Sequence, residues 1–128
     1  MNIEKYQYKE EWERRSKLFV IVVCRWSYVG SRKNNWNIYC YIFPEHPLFK
    51  TLIESTVYSP PIDFHGGCTY FKWFRNEQGE VTSKQYGCDY SHYGDESFDN
   101  YMTPEQASEV FYDAEELFRF LSEEDETK

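Results

Sequence analysis

Residues 17–29, KLFVIVVCRWSYV, and residues 36–43, WNIYCYIF, are rich in β-branched and aromatic side chains. Side chains of these types pack well on the pleated surface of a sheet. Between the two stretches lies GSRKNN, residues 30–35, which supplies polar residues and a glycine that favour a turn. The three segments predict a β-hairpin with a polar tip, and therefore a fold that is organised around a sheet.

A second hairpin is predicted further along the chain. Its arms and turn are DFHGGCTYFKWF (63–74), VTSKQYGCDY (81–90) and NEQGE (76–80). If the turn centres on Gln78, the numbers of antiparallel partners sum to about 156. This register sets Cys68 opposite Cys88 and His65 opposite Ser91, so the motifs HGG and DYSH should meet in space.

The C-terminal third predicts an amphipathic helix. Thr103, Pro104 and Gln106 form a start signal, with Thr103 as the N-cap, Pro104 at the first helical position and Gln106 completing a capping box. Apolar residues then recur at helical spacing: Ala107, Val110, Phe111, Ala114, Leu117, Phe118 and Leu121. We expect this apolar stripe to cover one face of the sheet.

The remaining segments complete an α+β domain. Residues 2–16 are charged with interspersed aromatics, and predict a short N-terminal helix or a loosely packed arm. The prolines of residues 44–61 predict an irregular crossing segment, with a short turn of helix near Leu48 to Glu54. Residues 1–122 should therefore form one domain, an antiparallel sheet of about four or five strands packed against the helix. Residues 123–128 should form a solvated acidic tail.

Composition limits the classes of function. The chain has 128 residues, 41% of them hydrophobic, and a formal net charge of −8. Such acidity argues against direct binding to a nucleic-acid backbone, which requires Lys and Arg. An acidic surface is compatible with binding to a basic partner protein. A more specific hypothesis is that this surface mimics nucleic acid.

Several expectations concern the cellular setting. No signal-peptide pattern is present, and the longest apolar run, Leu18 to Cys24, is too short to cross a bilayer. We therefore expect a cytoplasmic protein without membrane contact, whose four cysteines stay reduced. No sequence motif indicates a cofactor.

Chemistry is concentrated in the glycine-rich motifs. In GCDYSHYGD, residues 87–95, two carboxylates flank an imidazole at three-residue intervals. An imidazole held by a carboxylate is fixed in one tautomer and can transfer protons near neutral pH. The candidate catalytic residues are therefore His65, His92 and Asp89, with Asp89 as the orienting carboxylate. Gly66 and Gly67 would let a ligand approach the backbone closely. Histidines that only stabilise their loops are the alternative.

A zinc site is a competing interpretation. His65 and Cys68, with Cys88 and His92, supply two ligand pairs at spacings that structural zinc sites use. Residues an odd number apart on a strand point to opposite faces, so this set requires the Gly-Gly pair to bend the chain.

Three motifs together resemble a widespread group of small phage and bacterial proteins. They are CYIFPEHPLF (40–49), HGGCTY (65–70) and GCDYSHYGD (87–95), followed by the helix. Members of the group show runs like GYVGVPxGHPLYG, HGGxTY and GFDxAHxGD in the same order. The resemblance implies a phage origin and a shared site that adds His46, Thr69 and Asp95 as ligand-binding candidates. It implies no particular reaction.

Two functions follow as hypotheses. In the first, an accessory counter-defence protein uses its His/Asp pocket to bind or cleave a small, anionic, nucleotide-like immune signal. In the second, the protein is an acidic inhibitor, similar in action to an anti-CRISPR, that binds a host defence protein, and its His and Asp motifs are purely structural.

Overall fold

The computed structural model of the protein describes residues 6–126, and the side chains of residues 6–124. Its strands and helix are β1 (Gln7–Arg15), β2 (Phe19–Tyr28), β3 (Asn35–Ile42), β4 (Tyr70–Arg75), β5 (Val81–Asp89) and α1 (Ser108–Glu126). The strands form one antiparallel sheet in the spatial order β1-β2-β3-β5-β4. The predicted α+β class and both hairpins are confirmed. None of the described helices is long and apolar enough to span a membrane.

The core lies between α1 and one face of the central strands. Along β3, buried side chains alternate with half-buried ones, as expected for a strand with one covered face. The residues that β3 and α1 bring to the core are Trp36, Ile38, Cys40, Ile42, Val110, Ala114, Leu117 and Leu121. Burying a large apolar side chain stabilises the fold by about 1.5–3 kcal/mol, so this layer holds the helix on the sheet.

The expected N-terminal helix is wrong, because residues 7–15 form β1 at the edge of the sheet. The ring of Trp12 stacks on Trp36, with centroids 5.7 Å apart, and Arg14 forms an ion pair with Glu115 of α1. Alternation turns Trp12 and Arg14 toward the helix and Glu13 between them to the other face. The high charge of the segment is typical of an edge strand that avoids further pairing. Residues 2–5 of the predicted helix lie outside the described residues.

The helix start signal is present, although the regular helix begins later than expected. The amide of Gln106 donates to Thr103 Oγ1 at 3.2 Å, and the Gln106 side chain accepts from the Thr103 amide at 3.3 Å. These are the reciprocal bonds of a capping box. In the next turn Val110 N–H donates to Ala107 O, three residues earlier instead of the four of a regular α-helix. The regular helix α1 therefore begins at Ser108.

The acidic C-terminal residues continue the helix. α1 runs through Glu126, so residues 123–126 are helical, and residues 127–128 of the predicted tail lie outside the described range. The division between a domain and a tail at residue 122 stays a prediction.

The second hairpin is shifted by one residue from the expected register. Tyr70 pairs with Gly87 and Phe74 with Ser83, and an irregularity follows between Phe74 and Arg75. The ladder begins at Tyr70, so Cys68 lies before β4 and faces no strand partner. The turn itself keeps the expected register: the Asn76 side chain accepts two backbone N–H groups, Asn76 N–H bonds to Glu80 O at 3.0 Å, and Arg75 pairs with Val81. The irregularity between Phe74 and Arg75 then shifts every later pair by one residue. A shift of one residue exchanges the faces of the side chains.

The crossing segment covers the sheet beside β4 and β5. It contains the short 3-10 helices Phe49–Thr51 and Glu54–Thr56, in the region where a turn of helix was expected. The ammonium of Lys84 donates to the carbonyls of Phe49 and Leu52 at 2.7 and 2.6 Å. Burial lowers the pKa of Lys84. Its side chain holds this segment in place and does not face an external anion.

Candidate functional site

The site is built from two glycine-rich loops that meet at the end of β5. The loop of residues 64–67 turns back through a bond from Gly67 N–H to Phe64 O at 2.9 Å. Gly66 and Gly67 have φ angles of +68° and +91°, a region that glycine occupies without strain. The second loop follows β5 and carries His92 and Asp95. HGG and DYSH therefore meet, as the hairpin argument predicted.

Asp95 is the centre of the site. Its carboxylate accepts from His65 Nε2 at 2.9 Å to Oδ1 and 2.8 Å to Oδ2. The backbone N–H of His92 donates to Oδ2 at 3.0 Å, and His92 Nδ1 lies 3.3 Å from the same oxygen. We call His65, His92 and Asp95 the His–Asp cluster.

The ionisation of Asp95 follows from these contacts. Burial raises its pKa, but hydrogen bonds from the His65 ring and from the His92 backbone and ring outweigh that effect, so the pKa of Asp95 is lowered. The group is therefore an acceptor-only carboxylate at neutral pH. The facing nitrogens, His65 Nε2 and His92 Nδ1, must then carry hydrogens.

Both imidazoles keep their second ring nitrogen available. His65 Nδ1 and His92 Nε2 have no hydrogen-bond partner within the described part of the chain. No polar side-chain atom there is both buried and unpaired, so both nitrogens reach solvent. The two side chains are 31% and 32% exposed. The cluster therefore presents two nitrogens that can accept a proton or bind a ligand.

Tyr90 supports the His–Asp cluster through a contact with His65, and Asp113 in turn supports Tyr90. The rings of His65 and Tyr90 stack with centroids 4.2 Å apart and planes 11° from parallel, and the Tyr90 hydroxyl donates to the Asp113 carboxylate of α1. Burial and this bond to Asp113 raise the pKa of Tyr90, which keeps the hydroxyl protonated. Neither residue was predicted from the sequence, because no local pattern connects Asp113 on α1 with the loops that carry the histidines.

Asp89 has a different role from the expected one. Its Oδ1 accepts from the Ser91 amide at 3.0 Å, and its Oδ2 accepts from Thr69 Oγ1 at 3.3 Å. His92 Nδ1 lies 3.5 Å from Oδ1, farther than either of these two donors. Asp89 therefore ties the two loops together and contributes charge beside His92. Asp95 is the carboxylate that orients both imidazoles, and Thr69 lies at the outer edge of the site.

Gly66 is required by the ring of His92. A methyl group at Gly66 would lie 2.5 Å from His92 Cε1 and 2.7 Å from both ring nitrogens. By contrast, a methyl group at Gly67 would meet nothing within 4 Å. The His92 imidazole is therefore packed directly on the glycine backbone, while Gly67 leaves open space.

His46 does not belong to the site. Its ring is 2% exposed, and Nδ1 accepts from the Leu48 amide at 3.1 Å. Nε2 must then carry the hydrogen that it donates to the Leu121 carbonyl of α1, 2.9 Å away. The expectation that His46 lines the pocket is wrong, because both its nitrogens are bonded to backbone groups, Nδ1 within the crossing segment and Nε2 to the helix.

The predicted zinc set is not assembled either. The one group of three or more metal-ligating side chains found among the described residues is His65, His92 and Asp95, without a cysteine. Cys88 is 1% exposed, and burial raises the pKa of its thiol to about 12, so the thiolate that zinc binds is disfavoured. Cys68 donates to the backbone carbonyl of Tyr70. Cys68 is therefore outside the group that the two histidines form with Asp95.

Two clefts flank the cluster, and both are acidic. One of about 420 Å³ lies between α1 and the loop of His65, and its charged lining residues are Asp63, Asp113 and Glu116. The other, of about 240 Å³, adjoins His92, and its charged lining residues are Lys33, Asp95, Glu96 and Asp99. Carboxylates outnumber cationic groups in each lining, so the local field favours positively charged ligands.

Comparisons of the chain with protein-family models, with curated proteins and with solved structures found no match. The resemblance of the three motifs to a phage and bacterial group therefore stays a prediction.

Proposed function

We propose that the protein is a phage-type accessory, counter-defence protein that captures or cleaves a small nucleotide-like signal at the His–Asp cluster. The accessory role rests on the motif resemblance alone. The chemical role rests on one observation: two imidazoles share one buried carboxylate, and each leaves its other nitrogen open to solvent.

This arrangement supports acid–base chemistry. A carboxylate that accepts from one nitrogen of an imidazole fixes the tautomer and stabilises the imidazolium. His65 and His92 have ring centroids 5.6 Å apart, close enough to act on neighbouring atoms of one ligand. Asp95 orients both rings, and Asp89 holds the loop on which His92 lies.

The cleavage form of the proposal has a balanced proton path. One imidazole takes a proton from water or from a ligand hydroxyl, and that oxygen attacks the phosphorus of a phosphodiester. The phosphorus–oxygen bond to the leaving group breaks, and the other histidine, as imidazolium, gives its proton to the leaving oxygen. In the capture form, the same two nitrogens each carry a hydrogen and donate hydrogen bonds to the phosphate, without transferring protons.

Charge narrows the ligand class. Lys33 is the cationic residue among those that line the two clefts, so a bare polyanion would meet mostly carboxylates. A ligand with one or two phosphates, or one that binds together with a cation, fits the local field better.

Mass spectrometry of small molecules tests the proposal. The purified protein is incubated with linear and cyclic nucleotides, and both the retained and the converted species are identified. His65→Ala and His92→Ala should reduce retention or conversion by about 100-fold or more, the scale of a lost acid or base. Glu54→Gln, a change at an exposed position on the crossing segment, is the matched control and should behave as wild type.

Circular dichroism of each variant establishes that the fold is intact. Equal retention and conversion by wild type and both histidine variants would refute the role of the cluster. Absence of any retained or converted nucleotide across the panel would refute the ligand class.

A protein-binding inhibitor is the second candidate, and the open face of the sheet favours it. The residues of β3 that point away from the core include Tyr39 and Tyr41, which contact Tyr70 and Phe74 of β4. No described helix packs on this face, because α1 joins the core cluster on the other side. Aromatic side chains are enriched where proteins bind each other.

A counter-defence assay in cells separates the two candidates. The double variant His65→Ala/His92→Ala should lose protection if the cluster is the working site, whereas Tyr70→Ala should lose it if the open face binds a defence protein. Protection that survives the double change and disappears with Tyr70→Ala would replace the first candidate with the second.

A further inference from the structure

We propose that the His–Asp cluster binds a divalent first-row transition-metal ion, with His65 Nε2, His92 Nδ1 and a carboxylate oxygen of Asp95 as ligands. This proposal rests on the capture form of the proposed function and names the ion that the same site would hold, because imidazoles that bind a metal ion cannot also exchange protons as base and acid. It differs from the Cys2His2 interpretation of the sequence in replacing both thiols with one carboxylate.

The distances between donor atoms suit a metal ion. His65 Nε2 and His92 Nδ1 lie 2.8 and 3.3 Å from Asp95 Oδ2, and one ligand atom from each of the three residues lies within 4.8 Å of the others. A tetrahedral zinc ion with bonds of about 2.1 Å holds its ligands about 3.4 Å apart. The two observed distances are shorter than this value by about 0.6 and 0.1 Å, so an ion could enter if the side chains move apart slightly.

The tautomers can adjust at little cost. A metal ion would replace the hydrogens that His65 Nε2 and His92 Nδ1 now donate to Asp95. Each displaced hydrogen can be relocated to the second nitrogen of its ring, which reaches solvent and can be hydrated there. A buried second nitrogen, as in His46, would not allow this exchange.

The charges around the cluster favour a cation. Asp89 Oδ1 lies 3.5 Å from His92 Nδ1, and Glu96 and Asp99 line the adjoining cleft. A divalent ion would offset this negative charge, and would in turn give a phosphate-bearing ligand a positive partner. The acidic clefts and the nucleotide-like ligand are then compatible.

The donor set indicates the class of metal. Two imidazole nitrogens with one carboxylate oxygen suit Zn²⁺, Fe²⁺, Co²⁺ and similar ions better than Ca²⁺, which prefers oxygen ligands alone. Three protein ligands leave at least one coordination position for water or for a ligand. Gly66 and Gly67 keep the backbone side of the site free of side-chain bulk.

Titration of the purified, chelator-treated full-length protein with Zn²⁺ or Co²⁺ tests the site. We expect one ion per chain by calorimetry. His65→Ala, His92→Ala and Asp95→Asn should each weaken affinity by about 100-fold or more, because loss of a direct ligand costs at least as much as loss of an outer partner, which costs about 10–100-fold. Cys68→Ser leaves the proposed ligands intact but disrupts the Cys2His2 alternative, so its affinity should equal that of wild type.

Two results of this titration would overturn the proposed metal site. Absence of a bound ion, or equal affinity in wild type and His92→Ala, overturns the proposal. Loss of binding in Cys68→Ser, with a Co²⁺–thiolate absorption band in the wild type, overturns it in favour of the cysteine set. Circular dichroism of every variant separates loss of a ligand from loss of the fold.

Nucleotide retention by metal-free protein separates this proposal from the proposed function. Retention without any Zn²⁺ binding would refute the metal site and leave the proposed function standing. Zn²⁺ binding without retention or conversion of any nucleotide would support the metal site and refute the nucleotide ligand.

Discussion

His46 bonds both ring nitrogens to backbone groups and is 2% exposed, whereas His65 and His92 each bond one nitrogen to Asp95 and leave the other open to solvent. All three lie in Gly- or Pro-rich stretches. The first joins the crossing segment to α1, and the other two form the floor of an accessible site. The number of satisfied ring nitrogens therefore separates a structural histidine from one that is available to a ligand.

Truncation of His46 should have the largest effect on stability. His46→Ala removes two buried hydrogen bonds and leaves a cavity, so we expect a loss of about 3 kcal/mol in the free energy of unfolding. His92→Ala, at a side chain 32% exposed, should cost about 1 kcal/mol or less. Urea denaturation measures both. A smaller loss of unfolding free energy for His46→Ala than for His92→Ala would contradict the distinction between a structural histidine and one that is available to a ligand.

The two adjacent glycines offer a sharper comparison. Gly66 and Gly67 both have positive φ, so alanine at either should cost about 1–2 kcal/mol from backbone strain. The additional contact with the His92 ring at Gly66 should make Gly66→Ala the more destabilising variant by about 1 kcal/mol. It should also shift the imidazole resonances of His92 in NMR spectra, as Gly67→Ala should not. Equal costs and unchanged His92 resonances would contradict the packing of the ring on Gly66.

The smallest expected effect is the pH dependence that Asp95 contributes. Its pKa is lowered in the folded protein, so its contribution to stability is fully present above the unfolded value of about 3.9. That contribution is lost as the pH falls through the folded pKa. Unfolding free energies measured from pH 6 down to pH 2 should therefore decline less steeply in Asp95→Asn than in wild type. An identical slope in the two proteins would show that Asp95 is not stabilised as a carboxylate.

Much of the fold could be predicted because its signals are local. The alternation along residues 36–43 and the apolar stripe of α1 each report which side is buried, without knowledge of the partner. The sequence of β1 predicted a short helix or an arm instead of a strand. Its residues are mostly charged, and Trp12 is the one apolar side chain of the strand that packs on the core, so the alternation of a strand is not visible. An edge strand has one neighbour, so its sequence carries a weaker signal.

The candidate site could be predicted only in outline. Pairing of the two hairpin arms brings HGG and DYSH together under either register, so the meeting of the two loops was predictable. The roles of Asp89 and Asp95 were not, because an irregularity between Phe74 and Arg75 shifts the pairing by one residue and exchanges faces. The assignment of His46 to the pocket failed for a related reason: its partner, Leu121, lies 75 residues away on the helix.

By itself, the sequence determined the hairpins, the amphipathic helix and the approach of the two glycine-rich motifs, because periodicity and turn chemistry act over a few residues. Only the tertiary structure decided which carboxylate the imidazoles share, which histidine is buried, and that the cysteines lie outside the cluster. These outcomes depend on register and on contacts between distant segments, where a displacement of one residue changes the chemistry that a loop presents.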